Sequence, residues 1–130
     1  MHMPVLGMGG FFWRAQDPEA LANWYREHLG VGNGCGTDTD GKTNEWLYYQ
    51  TPGPMVFQPF KAATDYFAAD KAFMFNFRVS DLDGLLEQLN SKGIEVITKE
   101  EWDASPELGK FARIHDPEGN AIELWEPPAK

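Results

Sequence analysis

Two arginines, Arg14 and Arg78, stand 64 residues apart, and each lies three residues before an aspartate, Asp17 or Asp81. A guanidinium is a planar fork of donors suited to a carboxylate or enolate oxygen, so this pair could hold such a group. Other reactive residue types offer less. Cys35 has no basic neighbour in sequence to lower its pKa and is not read as a nucleophile. The run Gly30, Gly32, Gly34, Gly36 lacks the Lys-Ser or Lys-Thr and helix start of a phosphate loop, and is read as a connection. Asp38-Thr39-Asp40-Gly41 lacks the closing Glu of a calcium loop and is read as a hairpin turn. His28 on a helix and His115 before a turn are read as solvated.

The arginines belong to a longer repeat. Phe11, Arg14, Asp17 and Leu21 recur as Phe75, Arg78, Asp81 and Leu85, the mark of a duplicated unit. In the first copy, Phe11 to Ala15 is expected as a strand, and Asp17-Pro18 starts a helix, because Asp caps free N–H groups and Pro suits the first turn. Leu21, Trp24, Tyr25 and Leu29 form one apolar stripe, and Gly30 ends the helix. Strands on either side of Asp40-Gly41, a turn at Thr51-Pro52-Gly53-Pro54 and a strand from Met55 to Phe60 complete this copy. In the second, Phe73 to Val79 is a strand, Asp81 caps a helix carrying Leu82, Leu85, Leu86 and Leu89, and Gly93 ends it. Strands at Ile94 to Ile97, Lys110 to His115 and Ala121 to Trp125 follow, the last two joined by the turn Asp116-Pro117-Glu118-Gly119-Asn120. The expected fold is α+β, one domain over 1–130: two tandem βαβββ modules, about 5–60 and 73–127, joined by a linker at 61–72, forming a paired, curved mixed sheet around a central cavity.

Composition limits the partners. A chain of 130 residues with 42% hydrophobic residues can fill one core. A formal net charge of −9 argues against nucleic acid or an anionic membrane, both of which reward a basic face. One cysteine cannot form an internal disulfide, and Met1 to Gly10 contains no Lys, no Arg and no long apolar run. A soluble cytoplasmic protein is expected, without signal peptide or spanning helix.

The duplicated β-α-β-β-β order, with D-P-E-G-N at 116–120 running into I-E-L-W-E-P at 122–127, resembles the vicinal oxygen chelate superfamily of glyoxalase I, bleomycin-resistance proteins, fosfomycin-resistance enzymes and extradiol dioxygenases. Thr64 to Phe67 and Phe73 to Val79 are most similar to bacterial glyoxalase-like proteins. In metal-binding relatives each module supplies a ligand early in its first strand and a carboxylate from its last. The first-strand positions, seven residues before each capping Asp, are here Gly10 and Met74. Glu123 matches the last-strand carboxylate of the second module, and its counterpart in the first is Phe57. First-row metals need three or four convergent donors. The resemblance therefore implies the fold without its usual metal site, and no cofactor is expected. The alternative is a metal-dependent lyase or dioxygenase with non-standard ligands.

Strand parity adds the residues that would share the cavity with those positions: Phe12 and Arg14, Asn76 and Arg78, and Trp125 beside Glu123. Trp46 and Tyr48 are candidates from a middle strand. Phe11, Trp13, Phe75, Phe77 and Val79 would face the helices. Two functional readings stand. In one, a glyoxalase-like lyase or isomerase uses Arg14 and Arg78 to stabilise an enolate-like oxygen while Glu123 acts as the base. In the other, a metal-independent protein binds a planar or amphipathic molecule on Trp46, Tyr48, Phe57 and Trp125, with Met74 and Asn76 beside them, as bleomycin-resistance relatives bind their drug. The blander alternative is an interaction module whose cavity is closed by its own side chains, and the simpler reading of Arg14 and Arg78 is that they pair with Glu123 or other acids at the rim. A homodimer through open sheet edges is expected, with the modules pairing within or across chains.

Overall fold

A computed structural model describes residues 2–129. Both expected helices form. α1 spans Pro18–Leu29 and α2 spans Leu82–Ser91. The repeat is visible in their caps: Asp17 and Asp81 adopt nearly the same backbone (φ −132°, ψ 85° and φ −144°, ψ 85°). Each carboxylate accepts the N–H three residues on, from Ala20 and from Gly84, at 3.1 Å. Such a cap is worth about 1 kcal/mol. Gly30 closes α1 in the left-handed region, at φ 66°, where a side chain would be strained.

Three strands form one sheet: β1 (Phe75–Arg78), β2 (Lys110–His115) and β3 (Ala121–Glu126), in the order β1-β3-β2. β1 runs parallel to β3 and β2 antiparallel. Alternation along the strands sorts their side chains. Ala112, Ile114, Ile122 and Leu124 are fully buried and pack with Leu21 and Tyr25 of α1 and Leu82 and Leu89 of α2. Both helices therefore cover one face, joined by Phe75, Phe77 and Val79 as parity requires.

The D-P-E-G-N turn fastens this core. Asp116, buried, accepts from the backbone N–H of Glu118 and Asn120 through Oδ1, and from the Asn120 amide and the Tyr25 phenol through Oδ2, at 2.7 to 3.0 Å. The Glu118 carboxylate accepts the N–H groups of Gln16 at 2.7 Å and Asp17 at 3.0 Å. One turn of the second half thus grips the start and the middle of the first half's helix.

Several expected strands are not formed within the single chain. Phe11 to Ala15 and Met55 to Phe60 carry no strand, and Trp46 and Tyr48 lie outside any strand. Ile94 to Ile97 contributes only a bridge between Ile97 and Arg113, and no hydrogen-bonded turn forms over 51–54 among the described residues. The reason is backbone pairing. A strand persists where its N–H and C=O groups meet a neighbour, and Pro54 and Pro59 remove donors at both ends of the 55–60 segment, while Gly9 and Gly10 loosen the approach to Phe11. What does form is the hairpin connection around Asp38. Its carboxylate accepts from the N–H of Asp40 and Lys42, and the N–H groups of Gly34 and Tyr49 donate to the carbonyls of Leu47 and Cys35 at 2.8 and 3.0 Å.

Candidate functional site

Register assembles a polar row on the face away from the helices. Glu123 of β3 sits opposite Asn76 of β1 and opposite Arg113 of β2, and directly opposed residues on one face lie close enough to interact. The Asn76 amide donates to Glu123 Oε1 at 2.7 Å. The other oxygen, Oε2, accepts the phenol of Tyr66 from the linker at 2.5 Å. Burial, and then the hydrogen bond and charge of Glu123, push the Tyr66 phenol up to about 12, so at neutral pH it is protonated and acts as the donor.

Arg113 is held by two hydrogen bonds and two rings, while its buried Nε–H has no partner among the described residues. Its Nη1 donates to the Tyr66 carbonyl at 2.6 Å and Nη2 to the Met74 sulfur at 3.4 Å. Its guanidinium lies 4.7 Å from the centroid of the Tyr66 ring and 5.6 Å from that of Trp102, within cation–π range. Trp102 belongs to a 3-10 turn at Glu100–Asp103, so Arg113 joins the linker, the approach to β1 and this turn to the row.

The next row along the same face is Arg78, Trp125 and Phe111. Trp125 stacks nearly parallel to Phe111, with centroids 6.2 Å apart, and donates its indole N–H to the Leu108 carbonyl at 2.7 Å. Arg78 donates to the Thr51 carbonyl at 2.7 Å. Its charge also acts on Tyr48, whose phenol is raised by burial and by Cys35 and lowered by Arg78. Beside Tyr66, a hollow of about 370 Å³ is lined by Phe60, Lys61, Ala63 and Thr64.

The expected site residues divide into two groups. Glu123, Asn76, Met74, Arg78 and Trp125 share the described region, with Tyr48 within reach of the Arg78 charge. Arg14 lies elsewhere, exposed in a groove of about 480 Å³ with Gln16, Lys71 and Glu118; it does not join Arg78 at Glu123 within the chain, because it stands beside the D-P-E-G-N turn. Phe12, Trp46 and Phe57 are 91%, 77% and 76% exposed, and within the single chain they wall no cavity at Glu123, since the strands that would aim them are unformed. Tyr66, Arg113 and Trp102 were absent from the expected set. Arg113 was accessible to hairpin arithmetic: a turn over 116–120 opposes His115 to Ala121 and hence Arg113 to Glu123. Tyr66 lies in an irregular linker and carries no such signal.

The residues around Glu123 do not fit a divalent cation. Its two oxygens each accept a hydrogen bond, from an amide and a phenol, a guanidinium occupies the same row, and Met74 turns its sulfur toward that guanidinium. No group of three or more His, Cys, Asp or Glu suited to an ion occurs among the described residues.

No helix among the described residues is long and apolar enough to cross a membrane. Among curated proteins, none matches this sequence. A solved structure with a similar fold is that of TnmS3, an antibiotic binding protein from Streptomyces sp. CB03234: TM-score 0.57, 19% identity, over 97% of this chain and 99% of that one. The profile of the Glyoxalase/Bleomycin resistance protein/Dioxygenase superfamily matches residues 8–124. With that match spanning nearly the whole chain, and the α+β fold agreeing with it, the chain belongs to the glyoxalase/bleomycin resistance protein/dioxygenase superfamily.

Proposed function

We propose that this protein binds a small organic molecule on the Glu123 face of the sheet, and does so without a metal ion. The observation that carries this reading is the Glu123 carboxylate, fixed by Tyr66 and Asn76 and flanked by aromatic rings at Tyr66, Trp125 and Phe111. A few placed polar groups among apolar walls is the ordinary composition of a small-molecule site. The antibiotic binding protein of similar fold adds support.

A second copy of the chain completes the site in this reading. β1 is an edge strand, and the first module's apolar segments, including Val5, Leu6, Phe12, Trp46, Val56 and Phe57, are exposed. Their sequence repeats the plan that closes into a sheet in the second module, so pairing across two copies would give these strands the partners they lack and complete the two-module cavity. A cytoplasmic location fits the one unpaired cysteine, Cys35.

The test is tryptophan fluorescence and calorimetry of the purified protein against a panel of planar organic molecules, with and without Ni, Zn, Mn, Fe or Mg. Saturable quenching that is indifferent to added metal is the expected result. A stoichiometric metal that raises Tm would restore the metal-dependent lyase or dioxygenase reading. Turnover of a bound molecule, abolished in Glu123→Gln, would make Glu123 a base rather than a binding group.

A further inference from the structure

We propose that the Tyr66 side chain is the chain's own occupant of the ligand seat on the Glu123 face, and that the molecule bound there is a flat phenol, a fused aromatic ring carrying a hydroxyl, which takes that side chain's place. This rests on the binding reading above and names its ligand class.

Arg113 and Glu123 stand opposite each other on β2 and β3, yet no ion pair joins them among the described residues. Both turn to Tyr66 instead. The carboxylate accepts its phenol at 2.5 Å, and the guanidinium lies 4.7 Å from the centroid of its ring. Phe60 meets the same ring edge-on, with centroids 5.6 Å apart. The seat thus offers an acceptor at the hydroxyl and a planar cation at the ring face. Net charge does not enter this match: Tyr66 is protonated at neutral pH, and a neutral phenol presents the same donor and the same ring face.

Tyr66 is also lightly tethered. It lies in the irregular stretch 61–72, whose hydrogen bonds to the rest of the chain come, among the described residues, from Tyr66 and Lys71. The strands beneath it are fixed by their backbone ladders. Asn76, bonded to the other oxygen of Glu123, keeps the carboxylate in place when the phenol leaves. With Tyr66 seated, Arg113 Nε–H is buried without a partner, so the self-filled arrangement carries an unmet donor. The hollow of about 370 Å³ beside Tyr66 gives a second fused ring room beyond the seat.

The experiment titrates the full-length chain with 2-naphthol and 2-methylnaphthalene, flat molecules of similar size that differ in the hydroxyl, read by calorimetry and by NMR of the tyrosine rings. Expected is 2-naphthol binding that moves the Tyr66 ring signal, identified by its loss in Tyr66→Phe, toward that of an exposed tyrosine. In Tyr66→Ala, where no side chain competes for the seat, 2-naphthol is expected to bind about tenfold tighter, equivalent to about 1.4 kcal/mol. Should that variant fail to fold, Tyr66→Phe, which gives up only the bond to Glu123, is expected to bind 2-naphthol about threefold tighter. Affinity unchanged or lower in Tyr66→Ala, or a Tyr66 signal that stays in place with 2-naphthol bound, makes Tyr66 a wall of the site and overturns the proposal while the binding reading stands. 2-Methylnaphthalene binding Tyr66→Ala as tightly as 2-naphthol removes the hydroxyl from the ligand class and overturns it as well. If neither probe binds, the proposal falls, and the panel of planar molecules above decides the binding reading.

Discussion

The Tyr66 phenol and the Glu123 carboxylate, 57 residues apart, meet at 2.5 Å. The bond joins an irregular linker to the central strand of the sheet, and it is made by a phenol that stays protonated far into the alkaline range. Burial is the first cause and Glu123 the second.

Because the folded Tyr66 holds its proton above the ordinary value of 10.0, its stabilising contribution is complete below pH 10.0 and is lost as pH rises toward about 12. Absorbance titration at the phenolate band should show Tyr66, identified by difference from Tyr66→Phe, ionising near 12. In Glu123→Gln the midpoint should fall toward 10.0, though burial keeps it from returning fully. Ionisation near 10.0 in the unaltered protein would remove the bond from the account.

Asp116 should be among the costliest carboxylates to remove. Asp116→Ala strands the Tyr25 phenol, the Asn120 amide and two backbone N–H groups, and the expected loss is roughly 3 kcal/mol or more by urea unfolding, given about 1 to 3 for each buried group left unpaired. Tyr25→Phe removes one bond and should cost about 1 to 2 kcal/mol. A loss from Asp116→Ala no larger than that of Tyr25→Phe would contradict the shared-anchor geometry.

Gly36 supports the first module's hairpin. At φ 78° it adopts a left-handed conformation, and an added Cβ would strike the Tyr49 carbonyl oxygen. Gly36→Ala should cost about 1 to 3 kcal/mol in strain and raise amide exchange at Tyr49, whose N–H bonds the Cys35 carbonyl. Exchange unchanged at Tyr49 would show that the hairpin does not depend on this approach.

The exposed rings at Trp46 and Phe57 supply the test of assembly. Ultracentrifugation should give twice the mass of the 14.7 kDa chain, and Phe57→Asp should shift it toward the single chain while α1 and α2 persist by circular dichroism. A monomer in the unaltered protein at all working concentrations would leave those rings without the proposed cover.

Helices and core were legible because their signals are local. Asp17-Pro18 and Gly30 bracket α1, Asp81 and Gly93 bracket α2, and the leucine stripes name the faces that are buried. Three of the second module's four expected strands form, two of them in a register that a specific turn sets, while Ile94 to Ile97 leaves only a bridge. The first module's strands do not form within the single chain. Met55 to Phe60 has the right apolar content, but strand content does not supply a pairing partner, and Pro54 and Pro59 were a readable warning. The site was half legible for the same reason. Parity placed Asn76 and Glu123 on one face, while Tyr66 reaches them from a stretch with no periodicity, through a contact only the folded chain defines.

The grip of Glu118 on Gln16 and Asp17 spans about a hundred residues of chain. During synthesis, the first helix emerges long before the turn that secures its N-terminus, and its Tyr25 must wait for Asp116. The first helix therefore lacks these anchors until residues 116–118 have been made, with its apolar face meanwhile open to chaperones or to a neighbouring nascent chain.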